Sequence, residues 1–121
     1  MLLALAALAI AAPAVAAPGD INAHAFYTKA VALKKKGVMA LMSGQLKPMM
    51  AQMEDAGKRV RAQNLAATQA GKALYCPPAQ RKSAGAQFVI DKLAAIPENR
   101  RRQLTLTEAW REIMIGEFPC R

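Results

Sequence analysis

The sequence predicts an all-α protein, a small helical bundle of about four helices closed by one disulfide. Three observations carry this. The 121-residue chain is rich in alanine and sparse in β-branched residues, and aromatic residues are only 5%, so sheet formers are scarce. No Asn-Gly or Asp-Gly hairpin signal separates alternating runs. The two cysteines, Cys76 and Cys120, are an even count in a chain that carries an export signal, which predicts that they pair.

The export signal is read from residues 1–16. All of them except Pro13 are apolar, and Ala14-Val15-Ala16 supplies the small residues a signal peptidase requires. Cleavage is expected after Ala16. No cysteine follows the apolar run, so no lipid anchor is expected, and the run is too short for a comfortable membrane span. The remaining 17–121 form one helical domain, with N-terminal helices over 20–73 and a disulfide-framed region over 74–121. Export without an anchor, together with a disulfide, suggests a bacterial periplasm or a secreted product; the periplasm is the expectation, with no stable membrane insertion.

The first helix is expected to start with Asp20 as N-cap and to carry Ile21, Ala25, Phe26, Ala30 and Leu33 inward. Lys34, Lys35 and Lys36 fill its last turn, where the helix dipole favours cations, and Gly37 stops it. A short turn over Val38–Met42 follows. A long helix from Gln45 to Ala70 tolerates Pro48 in its first turn. Its apolar stripe is Leu46, Met50, Met53, Gly57 and Val60, with Gly57 as the point where another helix comes close. Gly71 ends it. Tyr75-Cys76-Pro77-Pro78 is a stiff extended connector. Ser83 caps the third helix, which turns Phe88, Val89, Leu93 and Ile96 inward and stops at Pro97. Thr105-Leu106-Thr107-Glu108 is a capping box that opens the last helix, with Leu106, Trp110, Ile113 and Phe118 inward.

Catalytic groups are few. His24 is the only histidine, so a Ser-His-Asp arrangement must include it, and Ser43 and Ser83 sit where capping explains them. Glu108 and Glu112 share one helix face beside Arg111 and read as a solvated face rather than an acid-base pair. Met39, Met42, Met49, Met50 and Met53 could offer thioethers to Cu(I), but methionine at helical spacing is flexible core filling. No zinc spacing, phosphate loop or haem motif is present. The chain is therefore expected to be no enzyme, with no cofactor and no metal.

The net charge of +9 gathers in Lys34–Lys36, in Lys58, Arg59 and Arg61, and in Arg100–Arg102. Lys34, Lys35, Lys36, Arg100, Arg101 and Arg102 are the candidate contacts for an acidic surface or protein partner. Export, not charge, disfavours nucleic acid.

From Leu74 onward the residues fall into a frame. Tyr75-Cys76-Pro77-Pro78 is followed by a helix with Gln87, Phe88 and Leu93, then Ile96-Pro97-Glu98, then a last helix and Phe118-Pro119-Cys120. In this order they resemble the immunity proteins that protect bacteria from their own type VI secreted peptidoglycan amidases (the Rap/Tai kind). The resemblance spans about 48 residues. It implies a small helical periplasmic domain with a disulfide across it, and a non-enzymatic protein that binds an amidase effector and blocks it. The alternative is a basic helical envelope protein that binds acidic polymer or a membrane surface. An unsatisfied apolar face on the long helix could also pair two copies as a homodimer.

Overall fold

The computed structural model describes residues 15–79 and 84–121, and these form an all-α bundle. Five helices follow in order: α1 (Ala23–Lys36), α2 (Leu46–Gln69), α3 (Ala86–Ala95), the single turn α4 (Glu98–Arg101) and α5 (Leu106–Glu117). Two 3-10 turns, Pro18–Asp20 and Gly37–Met42, flank α1. Most of the expected leader, residues 1–14, and the expected helix cap at Ser83 lie outside the described residues. Among the described residues no helix is long and apolar enough to cross a membrane.

The long helix α2 packs against α5 and against the Pro18–Asp20 turn, while α1 lies on α3 and α5. One core runs between these layers. Phe26 and Leu33 come from α1, Met49, Ala56 and Val60 from α2, Val89 and Leu93 from α3, and Leu106, Trp110, Ile113 and Met114 from α5. Phe88 meets Trp110 edge-on at 6.2 Å between ring centroids, the geometry that aligns the positive ring edge with the negative face.

The N-cap of α1 is Asn22, not Asp20. Asn22 Oδ1 accepts from the His24 N–H at 3.0 Å and the Ala25 N–H at 3.1 Å. Asp20 instead closes the preceding 3-10 turn, accepting from the Ala17 N–H at 2.9 Å. Its other carboxylate oxygen accepts from the Arg59 guanidinium. That hydrogen bond, then the Ala17 N–H, holds the Asp20 carboxyl below the ordinary carboxylate range. The stretch after the turn is stitched to α5 by the backbone. Leu106 N–H donates to Ile21 at 2.7 Å, and Ala23 N–H donates to Leu104 at 2.9 Å.

Three expectations about the ends of α1, α2 and α5 hold. Gly37 ends α1 at φ 56°, a conformation that costs a glycine little. Gly71 ends α2 at φ 101°. Thr105 and Glu108 form the reciprocal capping box, with Glu108 N–H donating to Thr105 Oγ1 at 3.1 Å and Thr105 N–H to Glu108 Oε1 at 3.0 Å. Gly85, in extended conformation, occupies the N-cap of α3 without a side-chain cap.

Two expectations about α2 are corrected. Met50 points outward at 63% exposure, and the inward stripe is Met49, Met53, Ala56, Gly57 and Val60. The stripe follows the i, i+4, i+7 and i+11 positions from Met49, so Met49 takes the place expected for Met50, while Met53, Gly57 and Val60 keep theirs. Gly57 is also not the point of close approach: a Cβ there meets only Arg61 Nη1 of its own helix, at 3.4 Å. The close approach belongs to Gly19. A Cβ on it falls 2.6 Å from Thr107 Oγ1, 2.7 Å from Asp55 Oδ2 and 3.0 Å from the Ala56 nitrogen. Gly19 also donates to Asp55 Oδ2 at 2.8 Å and accepts from Thr107 Oγ1 at 2.9 Å, so turn, α2 and α5 meet at one buried residue. Gly19→Ala is expected to cost about 1–3 kcal/mol, because backbone as well as side chains must move. A thermal melt of the purified variant measures it.

Cys76 and Cys120 form the disulfide, with Cα atoms 4.9 Å apart. The connector between α2 and α3 is placed for it by Asn64. Asn64 Oδ1 accepts from the Leu74 and Tyr75 N–H groups at 2.9 and 3.2 Å, and Asn64 Nδ2 donates to the Tyr75 carbonyl at 3.1 Å. Cys76 N–H then donates to the Phe118 carbonyl at 2.8 Å, which sets the two chain segments side by side.

Candidate functional site

The cation triplets that the sequence marks as contacts differ in their environment. Lys34, Lys35 and Lys36 are exposed at the C-terminal end of α1, and no ion pair holds them among the described residues. Arg100 is paired with Glu112, and Arg102 lies 3.5 Å from Glu98. Arg101 is buried at 7% exposure and is no surface contact. His24 lies beside Arg101, so the two triplets sit toward opposite ends of α1, about 18 Å apart at the rise of an α-helix. They do not form one basic face.

Arg101 is buried because α4 turns it back over the end of α3. Its Nη1 donates to the Leu93 carbonyl at 3.1 Å, to the Ala94 carbonyl at 3.4 Å and to the Ile96 carbonyl. These are the acceptors that a helix C-terminus leaves unpaired, and a cation there also meets the negative end of the dipole. Its Nε donates to His24 Nδ1 at 3.3 Å, and the guanidinium carbon stands 4.2 Å from the centroid of Tyr27. His24 Nδ1 is thereby an acceptor, which leaves its hydrogen on Nε2, 3.2 Å from Glu98 Oε1. The histidine therefore joins α1 to α4 through Arg101 and Glu98. Among the described residues, no serine, threonine or cysteine side chain hydrogen-bonds to His24, Arg101 or Glu98.

The third focus is also committed in part. Lys58 pairs with Glu54 at 3.1 Å, and Arg59 pairs with Asp20 and, at 3.7 Å, with Asp55. The methionines do not form one set of donors: Met49 is buried in the core, whereas Met39, Met42 and Met50 are exposed.

What the sequence reading missed is a groove of about 1370 Å³ whose lining does not include His24. Phe26, Ala30 and Leu33 of α1, Tyr75, and Trp110 and Met114 of α5 line it together with Phe118. One wall is the first half of α2, with Leu46, Met49, Met50, Met53 and Gly57. The other is the start of α3, from Ala84 through Phe88 to Ile90. Gly37, Ala40 and Leu41 close one end, and Tyr75 and Phe118 bring the other up to the disulfide frame.

The groove exists because α2 and α3 both lean on the α1–α5 layer, and α2 makes its close approach at the Pro18–Asp20 turn rather than against α3. Gly57, without a side chain, widens the α2 wall. The lining is mostly carbon. Its charged groups are Lys34, Glu54 and Arg61 at the α1 and α2 walls, with Glu54 held by Lys58. Such a lining offers apolar area and a basic edge, which suits a segment that buries hydrophobic side chains and carries negative charge. One signal in the sequence bears on it: Met49, Met50 and Met53 supply adaptable thioether side chains of the sort that line surfaces able to repack around a partner. Comparison with protein-family models, with curated proteins and with solved structures returns no match to this chain.

Proposed function

We propose that this chain is an exported periplasmic binding protein of the immunity type, which has no catalysis of its own and restrains a secreted peptidoglycan-amidase-like partner by protein–protein contact. The single observation that carries the reading is the groove: it is lined mostly by carbon, with Lys34, Glu54 and Arg61 as its charged groups, and the only histidine is not part of its lining. A lining of that chemistry suits capture of an apolar partner segment better than bond-making, which needs a nucleophile, a base and a polarising group in one place. The disulfide at the end of the groove suits an oxidising compartment, where such a bond persists. The Tyr75-to-Cys120 frame supplies the amidase as partner class.

The test is capture of partners from periplasmic and secreted extract by the oxidised protein, at physiological and at high salt. A single amidase-like protein retained at high salt is the expected result, because a desolvated apolar interface is screened little. Release of polymer, lipid or many acidic proteins by salt, with nothing retained, contradicts it. Met50, exposed on the α2 wall, gives the matching variant. Met50→Glu is expected to weaken capture at least ~10-fold, since it places a carboxylate in an apolar interface. Its melting temperature should stay within a degree or two of the parent, because the side chain packs on little.

A further inference from the structure

We propose that the Gly37–Met42 turn, with the lysines that flank it, docks this protein onto an anionic phospholipid surface. The turn is an exposed apolar tip. Val38 is 79% exposed, Met39 61%, Leu41 74% and Met42 82%, while only Ala40 reaches the core. Isolated exposed apolar residues are ordinary, but four within five positions on one protruding turn are a patch.

The charge around the tip selects its occupant. Residues 21–53 contain five lysines, Lys29, Lys34, Lys35, Lys36 and Lys47, and no aspartate or glutamate. No ion pair engages any of these lysines among the described residues. Every carboxylate side chain of the chain lies outside that stretch and has a partner. Asp20 and Asp55 face Arg59, Glu54 faces Lys58, Glu98 faces His24 and Arg102, Glu112 faces Arg100, and Glu117 faces Lys92. Asp91 accepts from Gln87, and Glu108 caps α5. The stretch 21–53 is thus basic, without ion pairs among the described residues, and carries the exposed apolar turn.

A second copy of this chain would bring lysines against lysines. An acidic polysaccharide would satisfy the lysines and leave Val38 and Met42 in water. An anionic bilayer satisfies both, since lysine stems lie along apolar surface while their ammonium groups reach the headgroups. The absence of a spanning helix among the described residues fits attachment at the surface. Lys34, Gly37, Ala40 and Leu41 also line the groove, whereas Val38, Met39 and Met42 do not, so the Val38→Ser, Met42→Ser variant separates this inference from the amidase reading.

The experiment is co-sedimentation of the exported, processed protein, checked by mass to lack the apolar run before Ala17. Mixed phosphatidylglycerol–phosphatidylcholine vesicles are compared with pure phosphatidylcholine. Binding to the mixed vesicles and far weaker binding to the neutral ones is expected. Replacing Lys34, Lys35 and Lys36 with glutamine should weaken it by about 100-fold at low salt, at roughly five-fold per lysine. The Val38→Ser, Met42→Ser double variant should lose at least ~10-fold. An unchanged helical circular dichroism signal and melting temperature are expected for both, since these side chains are exposed. Val38→Trp reads the same contact differently, through a blue shift of the added emission on mixed vesicles. No binding to mixed vesicles overturns the proposal. So does undiminished binding by the Val38→Ser, Met42→Ser protein, which would reduce the contact to surface charge, or an unshifted Val38→Trp emission.

Discussion

Reduction of the Cys76–Cys120 bond is expected to cost about 4 kcal/mol of folding stability in the chain-entropy view, for a loop whose ends are 44 residues apart. For a domain of this size that corresponds to a fall in melting temperature of about 16–30 °C. The effect is large because the bond encloses α3, α4 and α5, whose other ties to the rest are one apolar core, a few backbone bonds and the side-chain bonds of Arg101, Glu98 and Thr107 to His24 and Gly19. It is also local in its consequence. Tyr75 and Phe118, next to the two cysteines, line one end of the groove. Paired melts of the oxidised protein and of the Cys76→Ser, Cys120→Ser protein measure the effect. A double variant that melts with the parent would show that Asn64 and the core already hold this frame closed.

Arg101→Ala is expected to be the most damaging single change outside the apolar core, at about 2–3 kcal/mol. The substitution removes a charged donor from the carbonyls of Leu93, Ala94 and Ile96 at the end of α3, the first of these bonds buried and the other two part-buried. The Leu93 carbonyl keeps the Ile96 N–H at 3.2 Å, but the cation stacked on Tyr27 and the donor that orients His24 are lost as well. Arg100→Ala and Arg102→Ala make the comparison within the same triplet. Their ion pairs are half-exposed or exposed, so each should cost no more than about 1 kcal/mol. Chemical denaturation of the three proteins decides it. Three equal losses would mean that Arg101 is another surface cation, against the buried position described above.

The contrast within this triplet explains which features the sequence discloses. The capping box at Thr105 and Glu108, the stops at Gly37 and Gly71 and the pairing of two cysteines are set by neighbours in sequence or by simple counting, so they are legible without coordinates. Asp20 and Asn22 are both good caps two positions apart. The choice between them falls to Arg59, 39 residues away, which engages Asp20. Met49 and Met50 differ by one helix step, and only the layer beneath α2 decides which is buried. Gly19 and Gly57 exchange roles for a related reason: the α2 contact that needs a missing side chain is with a 3-10 turn that no apolar periodicity announces. Arg100, Arg101 and Arg102 are indistinguishable as residues, and the difference comes from the C-terminus of α3 passing over one of them.

The groove is the least legible feature of all. It is defined by the gap between α2 and α3, and apolar residues that line a gap have the same spacing as residues that fill one. Phe88, Met53 and Ile90 would read identically in a closed bundle. The methionine content is the one compositional hint, since adaptable side chains are favoured where the neighbour is not fixed.

The measurement that bears most directly on the binding reading is titration of the captured amidase with the oxidised protein, followed by peptidoglycan hydrolysis, in parallel with Met50→Glu. The groove account predicts stoichiometric inhibition by the parent protein and a shift of at least ~10-fold to higher concentration for the variant, with the fold of the variant intact. Full hydrolysis in the presence of excess parent protein, or equal inhibition by parent and variant, would contradict it.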